Sequence, residues 1–173
     1  MTLDLSVRRG ARPRPVPVPA ELSRAADLAR ADFADAFAVP LPAGSSTDAR
    51  DWHAAFGPAA VPAWVHGLMG VRTVLARALS LRTAAPSGTG GLFPLRSASA
   101  DTVVAGVDDR HLDFRLVLHV RRTATGAELV AVTVVRRHNT LGRTYFAVVR
   151  PFHSRVVPSM LRRLVDRSAP TAT

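Results

Sequence analysis

The sequence predicts an α+β fold in which a run of β-strands joined by short turns is followed by a C-terminal helix. Three observations carry this expectation. The second half of the chain is built of alternating or β-branched apolar runs separated by short turn sequences. The last stretch, from about Phe152 to Arg167, instead repeats apolar residues at helical spacing: Val157, Met160, Leu161, Leu164 and Val165. Two helical patterns fall between the first and second strands. A chain of 173 residues suits one domain. Its expected bounds are residues 16–168, with a flexible basic Pro/Arg-rich arm at 1–15 and a disordered tail at 169–173.

The elements follow in order. Pro13, Pro15, Pro17 and Pro19 favour extended backbone in the arm. Residues 20–31 have helix propensity. Phe33, Phe37 and Val39 suggest a first strand, ended by Pro40 and Pro42. Ser45-Ser46-Thr47-Asp48 offers N-caps for a helix through Asp51–Phe56, stopped by Gly57-Pro58. Pro62 can open a second helix, along which Trp64, Leu68, Val71, Leu75 and Leu79 make one apolar stripe. Gly88–Gly91 reads as a loop and lacks the strand–helix context of a dinucleotide fingerprint. Leu92–Leu95 and Thr102–Val107 read as short strands, Phe114–Arg121 and Glu128–Arg137 as long ones, and Arg143–Arg150 as the last. Thr125-Gly126 and Asn139–Gly142 supply turns. Pro158 should kink the final helix or mark a restart in it.

The run Gly106-Val-Asp-Asp-Arg-His-Leu-Asp-Phe-Arg115 concentrates polar chemistry. Read as the opening of a strand, it puts Asp109, His111, Asp113 and Arg115 on one face and Leu112, Phe114, Leu116 and Leu118 on the other. Closing a hairpin over Thr123–Gly126 sets Arg121 opposite Glu128, Asp113 opposite Arg136 and His111 opposite His138. A second hairpin over residues 139–142 would set Arg136 opposite Tyr145 and His138 opposite Arg143. One sheet end would then gather His111, Asp113, Arg136, His138, Arg143 and Tyr145. The middle of that face, Val117, Val130, Val132, Val134 and Val149, is apolar enough for a dimer seam.

Several segments together resemble the domain-of-unknown-function 2867 family. They are Asp32-Phe-Ala-Asp-Ala-Phe37, Pro62-Ala-Trp-Val, Leu68-Met-Gly-Val-Arg72, Gly106–Arg115, His138-Asn139 with Leu141-Gly142-Arg143 and Tyr145, and Pro151-Phe-His153. The similarity covers roughly residues 16–167. It implies a START-like, helix-grip fold, a curved antiparallel sheet packed around a long C-terminal helix, with a small-molecule cavity between them. The order β-α-α-β-β-β-β-β-α, read from the residues alone, agrees with that fold. In other proteins such a domain often follows a nucleotide-binding domain resembling short-chain dehydrogenases, which makes an oxidoreductase a possible partner. No cofactor is expected of this chain itself.

Composition excludes several classes. No cysteine is present, so neither disulfides nor thiolate metal sites are expected. The histidines are spread over separate elements, and no metal site is expected. No Gly-x-Ser-x-Gly elbow marks a serine nucleophile. No apolar run reaches the roughly 18 residues of a membrane span, and no signal peptide is apparent; a cytoplasmic protein is expected. The net charge of +10 comes from 23 arginines and no lysine. That pattern fits a GC-rich coding bias. Residues 136–167 hold eight arginines against Asp166, but the interleaved aromatics that single-strand binders stack on are missing. Nucleic acid is not the expected partner.

Candidate functional residues follow from chemistry. Asp113 beside His111 could form an acid–base pair, with Tyr145 donating a proton. Asp109, Arg136, His138, Arg143 and His153 could hold an anionic or carbonyl group. Each also has a plain role: an Asp113–Arg136 ladder, a tied hairpin end, an amphipathic tyrosine at the core edge, a histidine at a helix start. The expected function is binding of a hydrophobic small molecule between sheet and helix by a non-catalytic or accessory domain, or by a homodimer of it. The alternative is an enzyme of cyclase, dehydratase or isomerase type acting on a hydrophobic metabolite.

Overall fold

A computed structural model describes residues 12–57, 60–61 and 92–168. The second helix expected from Pro62, its stripe of Trp64 to Leu79, and the Gly88–Gly91 loop lie outside them. In chain order the elements are β1 (Arg14–Pro15), α1 (Ala20–Ala25), β2 (Phe33–Leu41), α2 (Ala49–Ala55), β3 (Leu95–Ala98), β4 (Thr102–Asp108), β5 (Leu112–Thr123), β6 (Gly126–Arg137) and α3 (Thr140–Ser168). The strands form one sheet in the order β1-β2-β6-β5-β4-β3, every neighbouring pair antiparallel. The fold is α+β, an antiparallel sheet packed around a long C-terminal helix.

The β5–β6 hairpin has the register its charges suggest. Arg121 faces Glu128 and Asp113 faces Arg136. One step further, the His138 N–H donates to His111 O at 2.9 Å. The near-continuous apolar run of β6 is explained by cover on both sheet faces. On one face Phe37, Val39, Leu116, Leu118, Leu129 and Ala131 pack with Trp52 and Phe56 from α2 and its end, and with Met160, Leu161, Leu164 and Val165 of α3. On the other, Val104, Val117, Val130, Val132 and Val134 pack under Leu22 and Ala26, with Val16, Val18 and Leu28 at the rim. The valines expected to be an exposed seam are therefore covered by the chain's own α1, and Val149 belongs to α3.

Three further boundaries differ from expectation, each for a local reason. Helix α1 stops at Ala25 because Asp27 takes a left-handed conformation (φ 47°). Strand β2 continues through Pro40 to Leu41; β1 pairs with Phe37 and Ala38, and among the described residues no strand pairs with this side of β2 beyond them, where a proline lacking its N–H is tolerated. Strand β3 starts after Pro94, because Leu92 and Phe93 are engaged by α2: Leu92 N–H donates to Phe56 O at 2.8 Å, and Phe93 O meets His53 Nε2 at 3.3 Å.

The largest correction concerns Arg143–Arg150, which is helix and not strand. Asn139 is the N-cap: its Oδ1 accepts the Gly142 N–H at 3.0 Å, and its side-chain amide donates to Arg110 O at 3.1 Å. Gly142 lies against the backbone of His111, where a Cβ would fall closer to His111 O than real Cβ atoms come. A second hairpin over 139–142 therefore does not form. Helix α3 runs through both Pro151 and Pro158.

Candidate functional site

The polar residues singled out at the end of β5 and β6 do not form one cluster. Asp113, on the sheet face opposite α3, is nearly buried and takes His138 Nε2 on Oδ1 at 2.9 Å. Its cross-strand neighbour Arg136 makes no ion pair with it. Strand β5 begins only at Leu112, so Asp109 and His111 sit in the β4–β5 turn, outside the strand alternation. The Asp109 carboxylate accepts the Arg110 N–H at 2.5 Å. His111 Nδ1 lies 3.1 Å from Asn139 Nδ2, so this ring serves the cap of α3. With the amide donating, Nδ1 is the acceptor and Nε2 carries the proton. Arg143 and Tyr145 ride on the first turns of α3, away from the strand positions opposite His138 and Arg136.

Arg115 is a structural cation. It is 4% exposed, pairs with Asp108 at 2.6 Å and donates to the carbonyls of Val107 and Phe114. Burial opposes the charge on Asp108, but hydrogen bonding and charge from Arg115, with Arg96, outweigh it and hold the carboxyl below its ordinary range. Gly106 sits opposite Arg115 with φ +157°, and a Cβ there would strike the Phe114 carbonyl. The Gly106–Arg115 run thus builds a β4–β5 corner as well as seating α3.

A second group of residues does meet at an opening. Alternation along β2 sends Phe33, Asp35, Phe37 and Val39 to the face that carries α3. Asp35 Oδ1 meets His153 Nε2 at 3.2 Å, with both side chains largely but not fully covered. The Phe33 ring stands edge-on to His153 (centroids 5.9 Å apart) and tilts against Phe146 at 4.9 Å. The Arg150 guanidinium lies 5.8 Å from the Phe33 centroid. Phe33, Asp35, Ala147, Arg150, Pro151 and Ser154 line an open cleft of about 520 Å³ between β2 and α3. Pro151 has no N–H, so the Ala147 carbonyl on this wall lacks its usual i+4 donor.

His153 is the one expected site residue connected to this cleft, through its contact with Asp35; it does not itself line the opening. Asp35, Phe33, Arg150 and Ser154 were not singled out as site residues. Asp35 carried a readable signal, since it is a lone carboxylate at a core-facing position between Phe33 and Phe37. Chemically, the cleft offers a carboxylate held by an imidazole beside it, a guanidinium, a hydroxyl and apolar surface. Among the described residues no group of three or more histidines and acids could hold a metal. Among them, no helix is long and apolar enough to cross a membrane.

No curated protein matches the chain, and no solved structure matches it. A family model described as "Protein of unknown function (DUF2867)" matches residues 28–160. The match opens just before β2 and closes at Met160, so it takes in Phe33, Asp35, Arg150 and His153 along with the Gly106–Arg115 run. The chain belongs to the DUF2867 family.

Proposed function

We propose that the protein binds a small organic molecule in the cleft between β2 and α3, as a non-catalytic or accessory domain of START-like type. The observation that carries this reading is the Asp35–His153 pair at the wall of an opening beside Phe33 and Pro151. Elsewhere in the domain the histidine–carboxylate contact is spent on structure: Asp113 with His138 lies at a hairpin end, on the face away from α3. At the cleft, Asp35 fixes the imidazole, and the apolar side chains beside it give a ligand body somewhere to lie. An enzyme of acid–base type is the second reading, favoured by the same contact, because a carboxylate that orients a histidine also suits it to move a proton.

Native mass spectrometry of the purified protein, with extraction of any bound compound, tests the binding reading. A retained small molecule should be lost from Asp35→Asn combined with His153→Ala. An affinity drop of about tenfold or more is expected when a hydrogen bond to a charged group is removed. The reading is refuted if the double variant retains the compound with unchanged affinity. Turnover of the compound by the wild-type protein, abolished in His153→Ala, would move the assignment to the enzyme.

A further inference from the structure

We infer that the ligand of this cleft is an organic acid whose carboxylate is received by Arg150 and whose body lies against Pro151 and Ala147; this rests on the binding reading above. Arg150 differs in placement from the other exposed arginines of α3. Its side chain is at the cleft wall, and its guanidinium is held beside the Phe33 ring. It makes no ion pair and no hydrogen bond among the described residues. A guanidinium resting on an aromatic ring engages through its π face and keeps its in-plane N–H donors, whose fork matches a carboxylate. Phe33 is itself braced by Phe146 and His153, so the cation is displayed from a fixed base.

The acid of the cleft does not neutralise this cation. Asp35 has turned Oδ1 to His153, and among the described residues no acceptor meets the Arg150 guanidinium. The Asp35 carboxylate and Ser154 remain as polar neighbours on the same walls, with the Ala147 carbonyl. A neutral ligand would satisfy these neighbours but leave the guanidinium served only by solvent. A carboxylate satisfies it with a charge-assisted pair of hydrogen bonds. The charge of that carboxylate is taken up by Arg150, while Asp35 Oδ1 stays engaged with His153 Nε2.

The test is a fragment titration on the full chain, followed by NMR shifts of cleft residues. Small aromatic and unsaturated acids are each compared with the corresponding primary amide, benzoate with benzamide being the first pair. The acids should bind at least tenfold more tightly than their amides. Arg150→Gln should erase that preference while leaving amide binding in place. Arg150→Lys should restore part of it. Arg155→Gln, at an exposed arginine that does not line the cleft, should keep the preference and so control for the basic field of the whole molecule. Equal binding of acids and amides, or a preference that survives Arg150→Gln, overturns the inference and leaves the binding reading standing. Absence of any cleft response to either series overturns both. Position 150 is solvent-exposed, so these variants are expected to fold, and an unchanged thermal midpoint verifies it.

Discussion

Replacing Gly142 with alanine sets two physical effects against each other, and the structure decides the sign. Helix propensity alone favours the change. A glycine within a helix costs about 1 kcal/mol relative to alanine, and Gly142 lies in the first turn of α3. The added Cβ, however, would sit 2.9 Å from the carbonyl carbon of His111 and closer still to its oxygen. That obstacle is backbone, and it is already held, because the same oxygen accepts the His138 N–H. Relief requires the start of α3 to move away from the β4–β5 turn. Such a shift strains the Asn139 cap, worth about 1 kcal/mol, and the contact that brings Asn139 to His111. Overpacking of this kind costs about 1–3 kcal/mol, and together with the strained cap it exceeds the propensity gain. Gly142→Ala is therefore expected to be net destabilised by about 1–2 kcal/mol in urea unfolding. For a domain of this size, that is a fall of a few degrees in the thermal midpoint. A variant more stable than wild type by about 1 kcal/mol, the propensity value, would refute the reasoning.

Two further outcomes follow from polar contacts. Asn139→Ala removes the Gly142 cap and the bond to Arg110 O, for an expected loss of about 1–2 kcal/mol. Hydrogen exchange should quicken selectively at the first amides of α3, and unchanged protection there would contradict the cap. Glu128 is clasped by Arg14 and Arg121 at 2.6 and 2.7 Å. Burial opposes its charge, but the hydrogen bonds from Arg121 and Arg14 and their charges prevail, so its carboxyl titrates below the usual 4.5. A lowered carboxyl stabilises the fold fully above the unfolded-state pKa and loses that contribution as pH falls through the folded value. Glu128→Gln should cost about 1–2 kcal/mol at neutral pH, a range discounted for the half-exposed arginines. The gap to wild type should close as the pH falls below the ordinary glutamate value of 4.5 and on through the lowered folded value. A gap constant over that range would sink the argument.

The parts of the fold that were legible in the sequence are those where local pattern and tertiary environment agree. Strand β5 opens in alternation, β6 is a β-branched apolar run, and two opposite-charge pairs, Arg121 with Glu128 and Asp113 with Arg136, fix one register even though only the first closes as an ion pair. The α3 segment 143–150 was illegible for the opposite reason. Thr144-Tyr-Phe-Ala-Val-Val149 is aromatic and β-branched, which favours a strand locally, and Pro151 looks like a boundary. What makes it helical is non-local: Asn139 capping it from one side and Gly142 fitting under His111 on the other. The covered valines show the same limit. An apolar second sheet face is visible in Val117, Val130, Val132 and Val134, but nothing in their spacing says that α1 will lie on them.

The cleft was half legible, and its existence follows from how α3 is anchored. Helix α3 is fixed near its start by Gly142 and Asn139 against the β4–β5 turn, and near its end by Met160, Leu161, Leu164 and Val165 in the core. Between Gly142 and Met160 lie about 27 Å of helix at roughly 1.5 Å per residue. Over that span Phe146 and His153 reach β2, while Arg150 and Ser154 stand at the opening. A helix pinned at both ends cannot slide to close the gap without giving up packing at one of them. The open cleft is therefore preorganised, which lowers the ordering cost of binding. The argument couples two measurements. Gly142→Ala moves one anchor without touching the cleft, so it should weaken acid-fragment binding at Arg150 as well as lower stability. Full affinity in a destabilised Gly142→Ala protein would mean that the far anchor and β2 position the cleft alone.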